Sequence, residues 1–499
     1  MGENETQDVL GEQQLMPTTF NVPRIVTAAL KGVAGKTLIT AGLIAALRSR
    51  GLFVRAFKKG PDYIDAGWLG LASGSECYNL DKYLFDSEVV RASFVKRSVG
   101  NDVAVVEGNR GLYDGVDSAG SYSTADLAKL LRAPVVLIID ATKITRTAAA
   151  LVLGCRIMDP ELNLRGVILN RVAGARHEKV LRESIENACS VPVIGSVNKL
   201  ALKNFPQRHL GLLPLQEHPA ALEFIKDAGH IAEQFIDIDK LLEIASSACE
   251  FGSVQKKFGP GHDQHCQCHK GVRIGIIKDS AFQFYYPENL DALTVSGAEL
   301  VMVSALETQE LSDVDCLYIG GGFPETHAEK LANNVIFKRS LLKATEEGLP
   351  VYAECGGLMY LSRSLRIDET VFPMVGVFPV DTILKRKPQG LGYIRVRVEE
   401  ANPFYPVGTV LSGHEFHYSS LVGLDCTGNS YVFKVLRGWG IDGSRDGICT
   451  RNVLGTYMHL HALGEPLWAQ GILNRALEFK TAGDWRCRET FRKQVEKER

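Results

Sequence analysis

Nowhere do the 499 residues contain an uninterrupted apolar run approaching the ~18 that a membrane-crossing helix needs. A basic excess is missing too: 56 Lys and Arg stand against 58 Asp and Glu, a formal charge of −2. Without that excess, nucleic acid and acidic membrane lose their usual electrostatic attraction and are not expected partners. The segment before Arg24 lacks the basic start and apolar stretch of a secretion signal, so a cytoplasmic location is expected. The 11 cysteines are odd in number and scattered, which suits reduced thiols better than a disulfide framework. What the chain does have is length and 45% hydrophobic residues, enough for two or three cores.

From Arg24 onward, short β-branched runs alternate with amphipathic stretches: RIVTAAL, KTLITAGLIAALRSR, LFVRAF, then DVAVVEG, PVVLIID, LRGVILN and VPVIGSV. Continuous apolar strands separated by helical text predict a parallel sheet covered on both faces. The pattern restarts at VRIGIIK and runs through CLYIGGG and LPVYAEC. The fold expected is therefore α/β with two doubly wound domains. The division read from the sequence is a flexible N-terminal segment (1–23), a first domain (24–245), a linker (246–271), a second domain (272–480) and a charged tail (481–499).

Lys31-Gly32-Val33-Ala34-Gly35-Lys36-Thr37 lies between a strand and a helical pattern. Phosphate binding asks for that order. Backbone N–H groups at Gly32 and Gly35 wrap the phosphates, Lys36 reaches the outer oxygens and Thr37 can hold Mg²⁺. The position of the usual first glycine is Leu30, so Lys31 is the second lysine of the deviant form of the loop. Lys58 joins this nucleotide-binding set from the end of the next strand. Asp62, Asp65 and Glu107 also follow strands and so fall on the ligand-binding edge, where hard oxygens suit Mg²⁺. An Asx turn or a helix cap is the bland alternative for any one of them.

The second motif is Pro350-Val351-Tyr352-Ala353-Glu354-Cys355-Gly356-Gly357, a thiol between an apolar strand and a helical pattern. Such an elbow exposes its side chain, and a helix N-terminus is expected to pull the thiol toward thiolate. Gly320-Gly321-Gly322 can offer N–H groups to an oxyanion, with Gly321 and Gly322 the donors expected. A base must come from elsewhere, and Gly455-Thr456-Tyr457-Met458-His459-Leu460-His461 offers two histidines, either of which can instead be a satisfied interior residue. His414, His417 and Tyr418 are placed to hydrogen-bond across the domain boundary or to be structural. Lys385-Arg386-Lys387 is either a cationic patch or a solvated loop. His262, His265, Cys266, Cys268 and His269 in the linker have spacing that can bind Zn²⁺, although not in a standard finger pattern.

Taken together, KKGPDYID (58–65), NLDKYLF (79–85), EGNRGLYDG (107–115), RHLGLLP (208–214), AFQFYYPENL (281–290), GGGFPE (320–325), AECGGLMYL (353–361) and GHEFHYS (413–419) make the chain resemble the cobyrinate a,c-diamide synthase family over nearly all of residues 24 to 470. The resemblance implies a P-loop ATPase half like dethiobiotin synthetase, then a flavodoxin-like half of the class I glutamine amidotransferase type. It implies Cys355 as glutaminase nucleophile and His459 as its partner. His461 then stands where most class I enzymes carry a glutamate, leaving open what orients His459. It further implies Asp62, Tyr63 and Asp65 as a substrate-binding acidic set, and Thr37, Asp62 and Glu107 as metal ligands. The cofactors are ATP and Mg²⁺. The implied reaction is ATP- and glutamine-dependent amidation of the a and c acetates of cobyrinate through acyl phosphates, with small-molecule partners and a homodimer as the assembly allowed. Rival readings are Ni-sirohydrochlorin a,c-diamide synthase and, from another class, a partitioning-type ATPase switch. Asp65-Ala66-Gly67-Trp68 departs from the more frequent Asp-Pro-x-x-His.

Overall fold

A computed structural model describes residues 19–199, 215, 218, 220–252, 271–423 and 430–497. RHLGLLP at 208–214 and the His262 to His269 cluster lie outside the described residues.

The first sheet has seven strands, all parallel. Named by first residue, their order is 78, 54, 103, 24, 135, 164, 193. Ile25 and Val26 are neighbours in sequence and both fully buried, yet they enter different cores, one on each face. That is why these strands read as continuous apolar runs: a covered sheet makes no use of alternation. The helix Lys36–Ser49 packs on one face beneath Ala221–Phe235. The two backbones approach so closely that a Cβ on Gly42 would lie 2.5 Å from the Ala228 carbonyl oxygen.

The second sheet has nine strands, in the order 299, 273, 316, 351, 453, 445, 430, 390, 410. Its first five are parallel, as the sequence pattern predicts, and the remaining pairings are antiparallel. A separate four-stranded sheet (370, 362, 378, 419) covers the elbow side. Those antiparallel additions carry half-exposed alternating patterns, as in Gly390–Val398, so they lack the apolar signature of a parallel strand.

Two expected boundaries shift. Thr19–Phe20 inside the N-terminal segment pairs with Phe251–Gly252 inside the linker. Arg24 ties this pair to the first domain, its guanidinium 4.2 Å from the Phe251 ring and hydrogen-bonded to the carbonyls of Leu131 and Cys249. At the other end, Pro466–Lys497 is one continuous helix, so the charged tail continues the helix before it.

Glu465 precedes that helix and accepts the Ser412 N–H at 2.8 Å. Burial raises its carboxyl from the ordinary 4.5 to about 7. A raised acid binds its proton more tightly when folded, so its contribution to stability is greatest below 4.5 and declines as pH rises through about 7. Glu465→Gln keeps an acceptor without the charge. Its Tm is expected to exceed wild type by about 2 °C at pH 8 and to match it at pH 4, read by calorimetry.

Candidate active site

The phosphate loop follows the central strand Arg24–Ala29, at the sheet's carboxyl edge. Gly35 has φ +82°, and a Cβ there would lie 2.4 Å from the Asn170 amide nitrogen, which donates to the Ala34 carbonyl at 2.8 Å. Only glycine fits. The helix beginning at Lys36 has no side-chain cap and no acidic residue in its first turn, which leaves its positive end available to an anion. A side chain at Gly32 would meet nothing within 4 Å, so the outer lip is open. Lys31 is 70% exposed and sits 3.6 Å from Asp140.

Beneath the loop lies a charged cluster. Lys36 donates to the Arg110 carbonyl at 3.2 Å, and its pKa is lowered by burial and then by the charge of Lys58. Thr37 donates to Glu107 Oε1 at 3.1 Å. Lys58 is fully buried and donates to Asp65 at 2.6 Å, to Glu107, and to the Gly108 carbonyl at 3.3 Å. It therefore acts on its carboxylates first. Asp62 accepts the Asp65 N–H at 2.9 Å, opening the helix Ile64–Ser73, so the bland capping role is real for this residue. Burial and the neighbouring Asp65 charge raise the Asp62 carboxyl, whereas at Asp65 burial is overcome by Lys58, Lys36 and Thr37 acting together and the carboxyl is lowered. Glu107 Oε2 is buried with no hydrogen-bond partner. An orphaned carboxylate oxygen beside a threonine hydroxyl is a hard-oxygen set that fits Mg²⁺, which takes one or two carboxylates with phosphate and water.

In the second domain, Cys355 closes the strand Val351–Glu354 with φ 47° and ψ −99°, a strained elbow. The expected low thiol pKa is not found. Cys355 is only 5% exposed and its helix is six residues long; burial pushes the thiol up, and Glu325 pushes the same way. Its Sγ lies 3.8 Å from the Phe416 carbonyl. Gly321 and Gly322 pair with Phe282–Phe284 and are pressed against both partners. A Cβ on Gly321 would lie 2.4 Å from His459 Cε1 and 3.3 Å from Nε2, while one on Gly356 would lie 3.0 Å from the Gly322 nitrogen. The elbow, the glycine loop and the Nε2 edge of His459 thus share one spot. His459 reaches it because Val453–Thr456 is the strand next to Val351–Glu354. His461 turns away: its Nδ1 accepts the Leu463 N–H at 3.2 Å and its Nε2 lies 3.6 Å from Glu288.

The two clusters meet at Tyr63. Its ring stacks on Phe284 (5.1 Å, 4°), lies 4.4 Å from Tyr286, and is 5.5 Å from both His414 and His459. Tyr286 donates to the Pro61 carbonyl at 3.4 Å and is hydrogen-bonded to His414 Nδ1 at 3.1 Å. His414 stacks on His459 and exchanges backbone hydrogen bonds with it; burial keeps its imidazole well below the usual pKa, and the nearby His459 pushes the same way. The hydrogen bonds of His414 thus stay within the second domain, its contact across the boundary being the Tyr63 ring alone, and His417 bonds locally to the Ser419 carbonyl. Farther out, Tyr83 stacks on Tyr393 at 4.0 Å, and Tyr393 donates to Asp81 at 2.7 Å. Beside Arg110 opens a cavity of about 790 Å³ lined by Tyr113, Asp114, Tyr122, Asp126 and Lys129, among others. Lys385, Arg386 and Lys387 are exposed on a loop.

Asn170 and Glu354, which carries His459 Nδ1 at 3.2 Å, escaped the sequence reading. Neither has a signal of its own: one lies within the strand Leu164–Val172 and the other precedes a more conspicuous cysteine.

Residues 25–212 match the family described as CobQ/CobB/MinD/ParA nucleotide binding domain, and residues 273–467 match the CobB/CobQ-like glutamine amidotransferase domain. A cobyrinate a,c-diamide synthase from Magnetococcus marinus is 42% identical over 90% of this chain and 96% of its own length. Those from Archaeoglobus fulgidus and Methanothermobacter thermautotrophicus are 40% and 39% identical over 94% and 91% of this chain and the full length of each relative. With the nucleotide loop, the thiol elbow and the seam between them all present in one chain, this protein belongs to the cobyrinate a,c-diamide synthase family.

Proposed function

We propose that the chain amidates the a and c acetate carboxylates of cobyrinate, using glutamine as nitrogen source and ATP as activator. One observation carries the reading: the Pro61–Asp65 turn sets Asp62 and Asp65 in the charged cluster under the phosphate loop and lays Tyr63 against His459. Two chemistries so joined suit an intermediate handed from one to the other.

At the elbow, His459 takes the thiol proton as Cys355 attacks the side-chain amide carbon of glutamine. N–H groups of Gly321 and Gly322 receive the oxyanion. The proton passes to the departing nitrogen, ammonia leaves, and water hydrolyses the thioester to glutamate. Because burial disfavours the isolated thiolate here, His459 is needed to take the proton as attack proceeds.

At the phosphate loop, Lys36 and the helix N-terminus offset charge on the γ-phosphoryl group as it moves to a substrate carboxylate. Thr37, Asp62 and Glu107 would hold Mg²⁺, which neutralises phosphate charge when bound. Lys58 holds Asp65 and Glu107 in place. Ammonia displaces phosphate from the acyl phosphate, and repetition gives the diamide. With cobyrinate, ATP, Mg²⁺ and glutamine labelled in its amide nitrogen, the product is expected to carry two labelled nitrogens by mass spectrometry, with ADP formed in step. Unlabelled or unchanged cobyrinate would refute the proposal.

We infer that the Tyr63 ring, packed against Phe284 and His459, keeps ammonia from solvent between the centres. Tyr63→Ala is expected to raise glutamine hydrolysed per amide formed several-fold as ammonia escapes to solvent, with Tyr63→Phe near wild type. Parallel glutamate and product assays measure the ratio, and an unchanged ratio in the alanine variant would show that the ring seals nothing.

A further inference from the structure

The family reading leaves His459 without an orienting group, since His461 occupies the position where a glutamate would stand and is engaged with Leu463 and Glu288. We infer that Glu354, the residue immediately before the nucleophile, positions His459 and fixes its tautomer. The inference rests on the proposed glutaminase roles of Cys355 and His459.

The geometry is specific. Glu354 is completely buried, with Oε2 3.2 Å from His459 Nδ1. The Tyr318 hydroxyl donates to the same oxygen at 3.2 Å, and the Leu460 N–H donates to Oε1 at 3.3 Å. Two donors, the Tyr318 hydroxyl and the Leu460 N–H, fix the rotation of the carboxylate, and His459 Nδ1 is placed as the third. An ionised carboxylate only accepts, so Nδ1 carries the proton and Nε2 is left bare. Nε2 lies on the ring edge facing Gly321, where the oxyanion loop meets the elbow.

Of the other buried carboxylates nearby, Glu288 faces His461 and two more are hydrogen-bonded elsewhere. Asp446 accepts from Thr456, Tyr457 and Gly447, and Glu415 accepts the N–H groups of Trp439 and Gly440. Successive residues of a strand point to opposite faces, so Glu354 and Cys355 should serve opposite sides of the sheet. The positive φ at Cys355 breaks the alternation at that residue. The elbow therefore has a second use: it lets consecutive residues address one imidazole.

Glu354→Gln replaces the ion by a neutral amide that cannot accept from all three donors. Its glutaminase kcat is expected to fall roughly 100- to 10,000-fold, as when an orienting carboxylate is neutralised in a triad. KM for glutamine and ammonium-driven amidation are expected to stay at wild-type values, which a general structural defect would not permit. Alkylation of Cys355 by iodoacetamide should need higher pH in the variant, because His459 is then a poorer proton acceptor. Glu354→Asp keeps the charge but withdraws it by a methylene, and is expected to lie between the two. Wild-type glutaminase kcat in Glu354→Gln would overturn the inference; if that variant does not fold, wild-type kcat in Glu354→Asp does so. Cys355→Ala, assayed beside them, separates the failures. Glutaminase surviving in Cys355→Ala removes the nucleophile assignment itself, whereas a dead Cys355→Ala beside an active Glu354→Gln removes only the role given to Glu354.

Discussion

Cys355→Ala is expected to lose glutamine-driven amidation by at least ~1,000-fold while ammonium-driven amidation persists. The thiol is the only atom in the elbow able to form the thioester, and neighbouring N–H groups cannot replace a covalent step. Removal of Sγ should leave the fold intact. Strain at φ 47° belongs to the backbone, and alanine accepts that conformation no worse than cysteine. The ammonium rescue is best measured at raised pH, where more of the added nitrogen is the neutral nucleophile. Loss of both activities in a folded variant would mean that the elbow also contributes to the amidation centre.

The complementary expectation concerns Lys36→Ala. Both nitrogen sources should fail together, by roughly 100- to 10,000-fold, because neither can displace an unactivated carboxylate oxygen and Lys36 offsets the charge of phosphoryl transfer. Lys36 is a buried cation whose pKa is lowered by desolvation and by Lys58, so its loss also relieves a repulsion. The apo variant should therefore melt no lower than wild type. Nucleotide protection should be what disappears: added ATP with Mg²⁺ raises Tm in wild type through mass action and should not in Lys36→Ala. Amidation persisting with ammonium would place the activating group elsewhere.

Comparing sequence with structure shows which kinds of information a linear text carries. The parallel half of each sheet was readable because strands covered on both faces must be apolar throughout, as in Val135–Asp140. The later antiparallel strands were not, because Gly390–Val398 alternates burial along a half-covered surface. Gly35, Lys36, Thr37 and Cys355 stood out because their neighbours in sequence are also their neighbours in chemistry. Glu354 and Asn170 act through partners more than 100 residues away, and nothing local marks such a pairing. The burial of the thiol was illegible for a related reason. The text displays a helix start, but the burial that outweighs it is supplied by Phe416 and the surrounding sheets.

The Pro61–Asp65 turn also bears on heredity. Asp62 and Asp65 lie beside Lys58 while Tyr63 between them packs against His459, with no spacer among them. On the proposed function, a codon change anywhere in this turn is exposed to selection from both reactions at once. Neither half can drift there without the consent of its partner, and a gene fission that sent the halves to separate chains would have to rebuild the Tyr63 contact as a protein–protein interface.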